Sequence, residues 1–238
     1  MKKIITMAAA GALALSLAGC AQQAEPIAQN DPPSTEAKQN ERQPLSVAET
    51  GYFMDEFGSA HYAVIIENEN MDAAAELVNM KITSKDADGK IIGSEDAYLT
   101  LLFANGKTAL CGTTYSAQNA ATLEFQIVES PNMWQHETMQ QAEFDEAFYV
   151  QNINESTGEY GDTTVAGEIV NTGSAGFSAA SINAVFRDAN GAIVGGATTT
   201  ISSVPADSTV PFSIDYIPNV PEHVKVDVYV DCGYPSES

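Results

Sequence analysis

Asp86-Ala87-Asp88-Gly89-Lys90-Ile91-Ile92-Gly93 recurs 102 positions later as Asp188-Ala189-Asn190-Gly191-Ala192-Ile193-Val194-Gly195. The match extends beyond this stretch. Glu56-Phe57-Gly58 falls against Glu159-Tyr160-Gly161, and Asn68 against Asn171, both at an offset of 103. The second copy then loses one residue, and Leu110 meets Phe212 at an offset of 102. Toward the end the offset is 101, with Phe125 against Val226 and Ile127 against Val228. The chain reads as two copies of one unit.

Within each copy the apolar period is two, which marks half-buried strands. Val224, Val226, Val228 and Val230 alternate with Lys225, Asp227, Tyr229 and Asp231. Val210, Phe212, Ile214 and Tyr216 make a second row, and Ala180, Ile182, Ala184 and Phe186 a third. The first copy offers Val78-Met80-Ile82, Leu123-Phe125-Ile127 and Tyr62-Val64-Ile66. Asp88-Gly89 and Asn190-Gly191 supply residues that tolerate positive φ, as a two-residue hairpin turn requires. Strands are predicted to lead in over 77–85 and 177–187 and out over 90–103 and 192–204. The fold class is therefore all-β: two tandem immunoglobulin-like sandwiches, each of two sheets packed face to face.

The N-terminus reads as an address. Met1-Lys2-Lys3 is basic, and Ile4 to Leu17 is an apolar run of 14 residues. A run that short does not span a bilayer core, which takes ~20 helical residues. It reads as a signal peptide. It ends in Leu17-Ala18-Gly19-Cys20, which resembles the lipobox of bacterial lipoproteins. That resemblance implies cleavage after Gly19, a diacylglyceryl group on the Cys20 thiol, and anchoring at the extracytoplasmic face of the cell membrane. The next residues carry prolines at 26, 32, 33 and 44 amid Gln and Asn. They bury too little apolar surface to offset ordering entropy and read as a tether. About 24 such residues average roughly 25–30 Å end to end. The expected layout is a signal peptide over 1–19, lipidated Cys20 and linker over 20–46, and a first sandwich over 47–130. A connecting segment follows over 131–146, and a second sandwich over 147–238. In the connecting segment, 135–148 is predicted to form a short helix, and Trp134 to pack at the domain junction.

The chain carries 32 acids against 10 bases, a formal charge of −22. Loss of Lys2 and Lys3 with the leader leaves eight bases. This balance excludes nucleic acid as a partner and disfavours docking on anionic lipid. Cys20, Cys111 and Cys232 show no paired spacing, and His61, His136 and His223 lie far apart. Cys232 extends an inward row and Cys111 takes the outer face, which argues against a disulfide between them. No nucleophile elbow, phosphate loop or His-Glu-x-x-His stands in the sequence. No catalytic, cofactor or metal residue is assigned; the one assigned site is the lipidated Cys20.

The strand ending in Asp, the small-Asp/Asn-Gly turn and the apolar-apolar-Gly that follows resemble the FxLYD-type domain of prokaryotic envelope lipoproteins. The stretches that stand in its aromatic-x-Leu-Tyr-Asp place, 82–86 and 184–188, depart from that pattern. The resemblance implies a sandwich with no enzyme activity and no defined ligand. The function expected is a non-catalytic, lipid-anchored envelope protein that contacts another protein or an envelope polymer. A second reading gives the acidic turns a calcium ion or small ligand, through Asp86 and Asp88, or Asp55, Glu56, Glu155, Glu159 and Asp162.

Overall fold

The computed structural model describes residues 42–234. The expected signal peptide, Cys20 and most of the expected linker lie outside them. The described residues fall in one compact unit. The first half runs β1 (Ser46–Met54), β2 (Ala60–Asn68), β3 (Ala73–Lys85), β4 (Ile91–Leu102), β5 (Gly106–Thr114), β6 (Thr122–Val128) and β7 (Trp134–His136). After α1 (Gln141–Ala147) come β8 (Phe148–Thr157), β9 (Thr163–Asn171), β10 (Ala180–Arg187), β11 (Ile193–Ile201), β12 (Ser208–Ile217) and β13 (Lys225–Cys232). Among the described residues no helix is long and apolar enough to cross a membrane.

The fold is all-β, built from antiparallel sheets in sandwich layers. The first half pairs a β1-β2-β5 sheet with a β4-β3-β6 sheet, to which β7 adds along β3. The second half repeats the order as β8-β9-β12 and β11-β10-β13. The period-two rows meet between the sheets. Tyr62, Val64 and Ile66 face Val78, Met80 and Ile82 in one core. Val165 and Ile169 share the other with Ile182, Ala184, Phe186, Phe212 and Ile214.

A duplicated asparagine closes the end of each sandwich. Asn68, 1% exposed, donates from Nδ2 to the carbonyls of Ala73 and Phe103 and accepts from the Asn70 N–H. Asn171 does the same with the carbonyls of Ala175 and Pro205 and the Gly173 N–H. A buried backbone group left unpaired is costly, so a side chain with both donor and acceptor suits this place.

The repeated turn differs from the expected two-residue hairpin. It is a three-residue loop in which the Asp86 N–H donates to the Lys90 carbonyl and the Gly89 N–H to the Asp86 carbonyl, at 2.9 and 3.0 Å. Asp86 Oδ1 accepts the N–H groups of Asp88 and Lys90. Asp188 repeats this with Asn190 and Ala192. With the aspartate fixing the loop, only its last residue has positive φ, +78° at Gly89 and +82° at Gly191. Asp55 wraps a third loop in the same way, accepting from Phe57 and Ser59. A fourth, at Gly158–Asp162, keeps the backbone bonds but has glycine in the aspartate's place.

Four further expectations are corrected. Tyr216 does not continue the inward row: a register slip between Ile214 and Ile217 puts it outside, 81% exposed, and Ile217 takes the core place. Val224 precedes β13 and is exposed. Trp134 packs on the first sandwich's core, not at the domain junction, because β7 pairs with β3 and the Arg42 guanidinium lies over its ring. The helix is confined to Gln141–Ala147.

An added Cβ at Gly89 meets nothing within 4 Å, so its left-handed backbone is the only obstacle to substitution. Gly89→Ala is expected to lower stability by about 1 kcal/mol, and Gly89→Asn by less. Urea unfolding midpoints at unchanged slope check this.

Candidate binding crevices at the junction of the two halves

The β1-β2-β5 sheet is covered on both faces. Its inward residues fill the first sandwich. Its outward residues Ala63, Ile65, Ala109 and Cys111 pack on Val185 and Ile193 of the second half. The sequence signal is the unbroken run Tyr62-Ala63-Val64-Ile65-Ile66, every residue of which is buried. A strand that loses its alternation is one buried on both faces. The approach is close: a Cβ at Gly51 would lie 2.0 Å from the Ile193 carbonyl oxygen, and one at Gly196 would lie 2.7 Å from Cys111 Sγ.

Polar groups hold the margins of this apolar centre. On one side Arg187 donates from Nε to Asp227 and from its terminal nitrogens to Glu49. The Arg187 hydrogen bond holds the Glu49 carboxyl below its usual range, against the opposing effect of burial. Burial raises Asp227, but hydrogen bonds from Lys225 and Arg187 outweigh it and leave that carboxyl lowered. On the other side Asp231, 3% exposed, accepts the Thr100 N–H at 2.8 Å and the Leu101 N–H at 3.1 Å. Burial raises its carboxyl, and the two backbone bonds offset part of that rise. Asn183 Oδ1 accepts the Cys111 N–H at 3.1 Å.

Cys111 lies in this junction and Cys232 in the second core; both are free and buried. Burial pushes both thiols up, so neither is poised as a thiolate.

Three crevices open here. One, of about 210 Å³, is walled by Lys107, Gln141, Asp145, Tyr149 and Tyr229. The Gln141 Nε2 donates to Asp145 at 2.9 Å; burial raises that carboxyl, which the Gln141 bond partly counters. A second, of about 230 Å³, is aromatic, with Phe103, Phe144, Phe148, Phe177 and Tyr234. The third, of about 200 Å³, is mixed: Ala97, Tyr98, Leu110 and Cys111 of the first half face Ser181, Asn183, Thr198 and Thr200 of the second, beside Asp231.

The acids named for calcium do not form one site. Asp55 and Asp86 each turn Oδ1 onto their own loop's N–H groups, and Glu155 pairs with His223. Among the described residues no three His, Cys, Asp or Glu side chains are grouped to hold a metal ion. A Thr113–His61–Asp55 line does form, with Thr113 Oγ1 3.2 Å from His61 Nδ1 and Asp55 Oδ2 3.1 Å from His61 Nε2. None of the three crevices reaches it, and His61 lies stacked on Phe53.

No family model matches the chain, and no curated protein does. Among solved structures, a β-glucuronidase from Bacteroides uniformis is 13% identical, at a TM-score of 0.25. The match covers 73% of this chain and 24% of that one. The C-terminal globular domain of an oligosaccharyltransferase from Pyrococcus abyssi is 7% identical, at a TM-score of 0.22. That match covers 80% of this chain and 47% of the other. The chain thus spans less than half the length of either, and likenesses this weak carry no argument.

Asp231→Ala leaves two buried N–H groups unpaired and is expected to cost about 2–4 kcal/mol, measured by urea unfolding. Glu49 and Asp227 are lowered in the folded state, so their stabilisation is present above their ordinary values of 4.5 and 3.8 and fades as pH falls through the folded values. Replacing Arg187 by Leu removes the partner that lowers both. The expected result is a loss of stability near neutral pH that shrinks below about pH 4, read from unfolding midpoints across that range.

Proposed function

We propose that the chain is a lipid-anchored, non-catalytic protein of the bacterial cell envelope, held at the extracytoplasmic face through Cys20. Its two sandwiches act as one contact module for another protein or an envelope polymer. The observation that carries this reading is the Leu17-Ala18-Gly19-Cys20 box after a short apolar run, joined by a polar linker to a folded β unit. The junction supports the second part. Sandwiches joined through a buried layer and pinned by Asp231 and Arg187 present their surfaces in a fixed relation. Rigid presentation lowers the entropy lost on binding.

The point at which the chain joins the fold adds a direction. The Gln43 N–H donates to Asn70 Oδ1 and the Leu45 N–H to Glu129 Oε1, beside the β2–β3 loop. The tether would enter at that end of the first sandwich. The opposite end carries the Asp55 and Asp86 loops and the exposed Phe57 and Tyr115.

Cys20→Ser removes the acylated thiol. In the native host the variant is expected to leave the detergent phase of a Triton X-114 partition, where the wild type remains. Equal partition of the two would refute the anchor.

A further inference from the structure

We propose that the crevice between β4, β10, β11 and β13 binds a single ring of a neutral glycan. The inference deepens the polymer-contact reading and rests on it. No lysine or arginine lines the crevice, so nothing there compensates an anionic sugar or a phosphate. Both carboxylate oxygens of Asp231 already accept backbone N–H groups, which leaves it poorly placed to pair with a cation. A neutral polar ligand is what remains.

The walls suit a polyol with one apolar face. Tyr98 comes from the first half and is 56% exposed on β4. A tyrosine ring offers a flat surface to the C–H face of a pyranose, and its phenol offers a polar tip. The second half supplies the hydroxyls of Ser181 and Thr200 and the amide of Asn183. Asn183 is 2% exposed, its oxygen is committed to the Cys111 N–H, and its Nδ2 has no partner among the described residues. A buried donor without a protein acceptor calls for an explanation; this one has no surface open to the crevice as it stands, so a ligand oxygen meets it only when the Asn183 side chain turns outward. All these groups stand on strands, which hold a site more exactly than loops do. The crevice holds about 200 Å³, below the ~300–1,000 Å³ of sites for drug-sized ligands. That is room for one ring and not for a longer segment.

The test is a titration of the full chain, in mild detergent, with cellobiose, maltose and N,N′-diacetylchitobiose, followed by backbone amide NMR. At least one of these is expected to give saturable shifts clustered at Tyr98, Ser181, Asn183 and Thr200. Tyr98→Ala, at a mostly exposed residue, is expected to keep the fold, checked by an unchanged amide spectrum elsewhere, and to weaken that binding at least about tenfold. Thr200→Val is expected to weaken it less. A uronic acid of the same ring size is expected to bind at least about tenfold more weakly than its neutral counterpart. Shifts confined to another surface, unchanged affinity in Tyr98→Ala, or no saturable shift from any of the three sugars would overturn the proposal. The Cys20→Ser partition is independent of this result. A normal partition with no sugar bound would leave the anchored reading standing and remove only the glycan.

Discussion

The structure depends on the covering of one sheet from both sides. Ala63, Ile65, Ala109 and Cys111 point away from their own sandwich and would otherwise leave an apolar surface in water. Their burial against Val185 and Ile193 turns two small sandwiches into one compact unit. Small domains bury a lower fraction of their surface than large ones, so each half gains from the other. The glycines at 51 and 196 let the backbones of this layer approach more closely than any side chain would allow.

The contact joins different faces of the two copies. The first half uses its β1-β2-β5 sheet; the second uses β11-β10-β13, the counterpart of the first half's β4-β3-β6. A head-to-tail contact of this kind does not close on itself and would extend to further copies if both free faces kept it. They do not. At the repeat offsets Ile65 corresponds to Glu168, Ala109 to Pro211 and Cys111 to Ser213; Asn183 and Val185 correspond to Lys81 and Thr83. The outward rows of the two copies differ: the rows in contact are largely apolar, and their counterparts carry charge and proline. Inward rows, the closing asparagine and the glycine of the turn were kept, because each copy has to fold its own sandwich.

The margins of the junction combine two kinds of polar contact with different consequences. Arg187 gathers Glu49 and Asp227 at a partly solvated margin, where charge attracts charge and acid weakens the contact. Asp231 is buried, and its burial cost is offset by two backbone N–H groups that β4 offers it. β4 is the edge of its sheet, so one side of it has no ladder partner within the first half. An edge strand is a liability when left open, and here part of it is capped from the other half.

The sequence by itself determined the duplication, the all-β class and most inward rows, because period-two alternation and a repeated glycine are local and directly visible. The expectation of a leader likewise rests on residue order and not on folding. The loop length of the repeated turn was not legible. Aspartate bonds to backbone N–H groups decide it, and Asp-Gly suits more than one turn. Tyr216 was misplaced since a register slip breaks alternation without a marker in composition. Alternation does not place Trp134, since its partner Ala75 is 59 residues away. The junction left one sign, the continuous apolar run at 62–66, but a run buried on both faces does not name what covers it. Only the tertiary structure brought Tyr98 beside Asn183 and Thr200, because such a crevice belongs to neither copy alone.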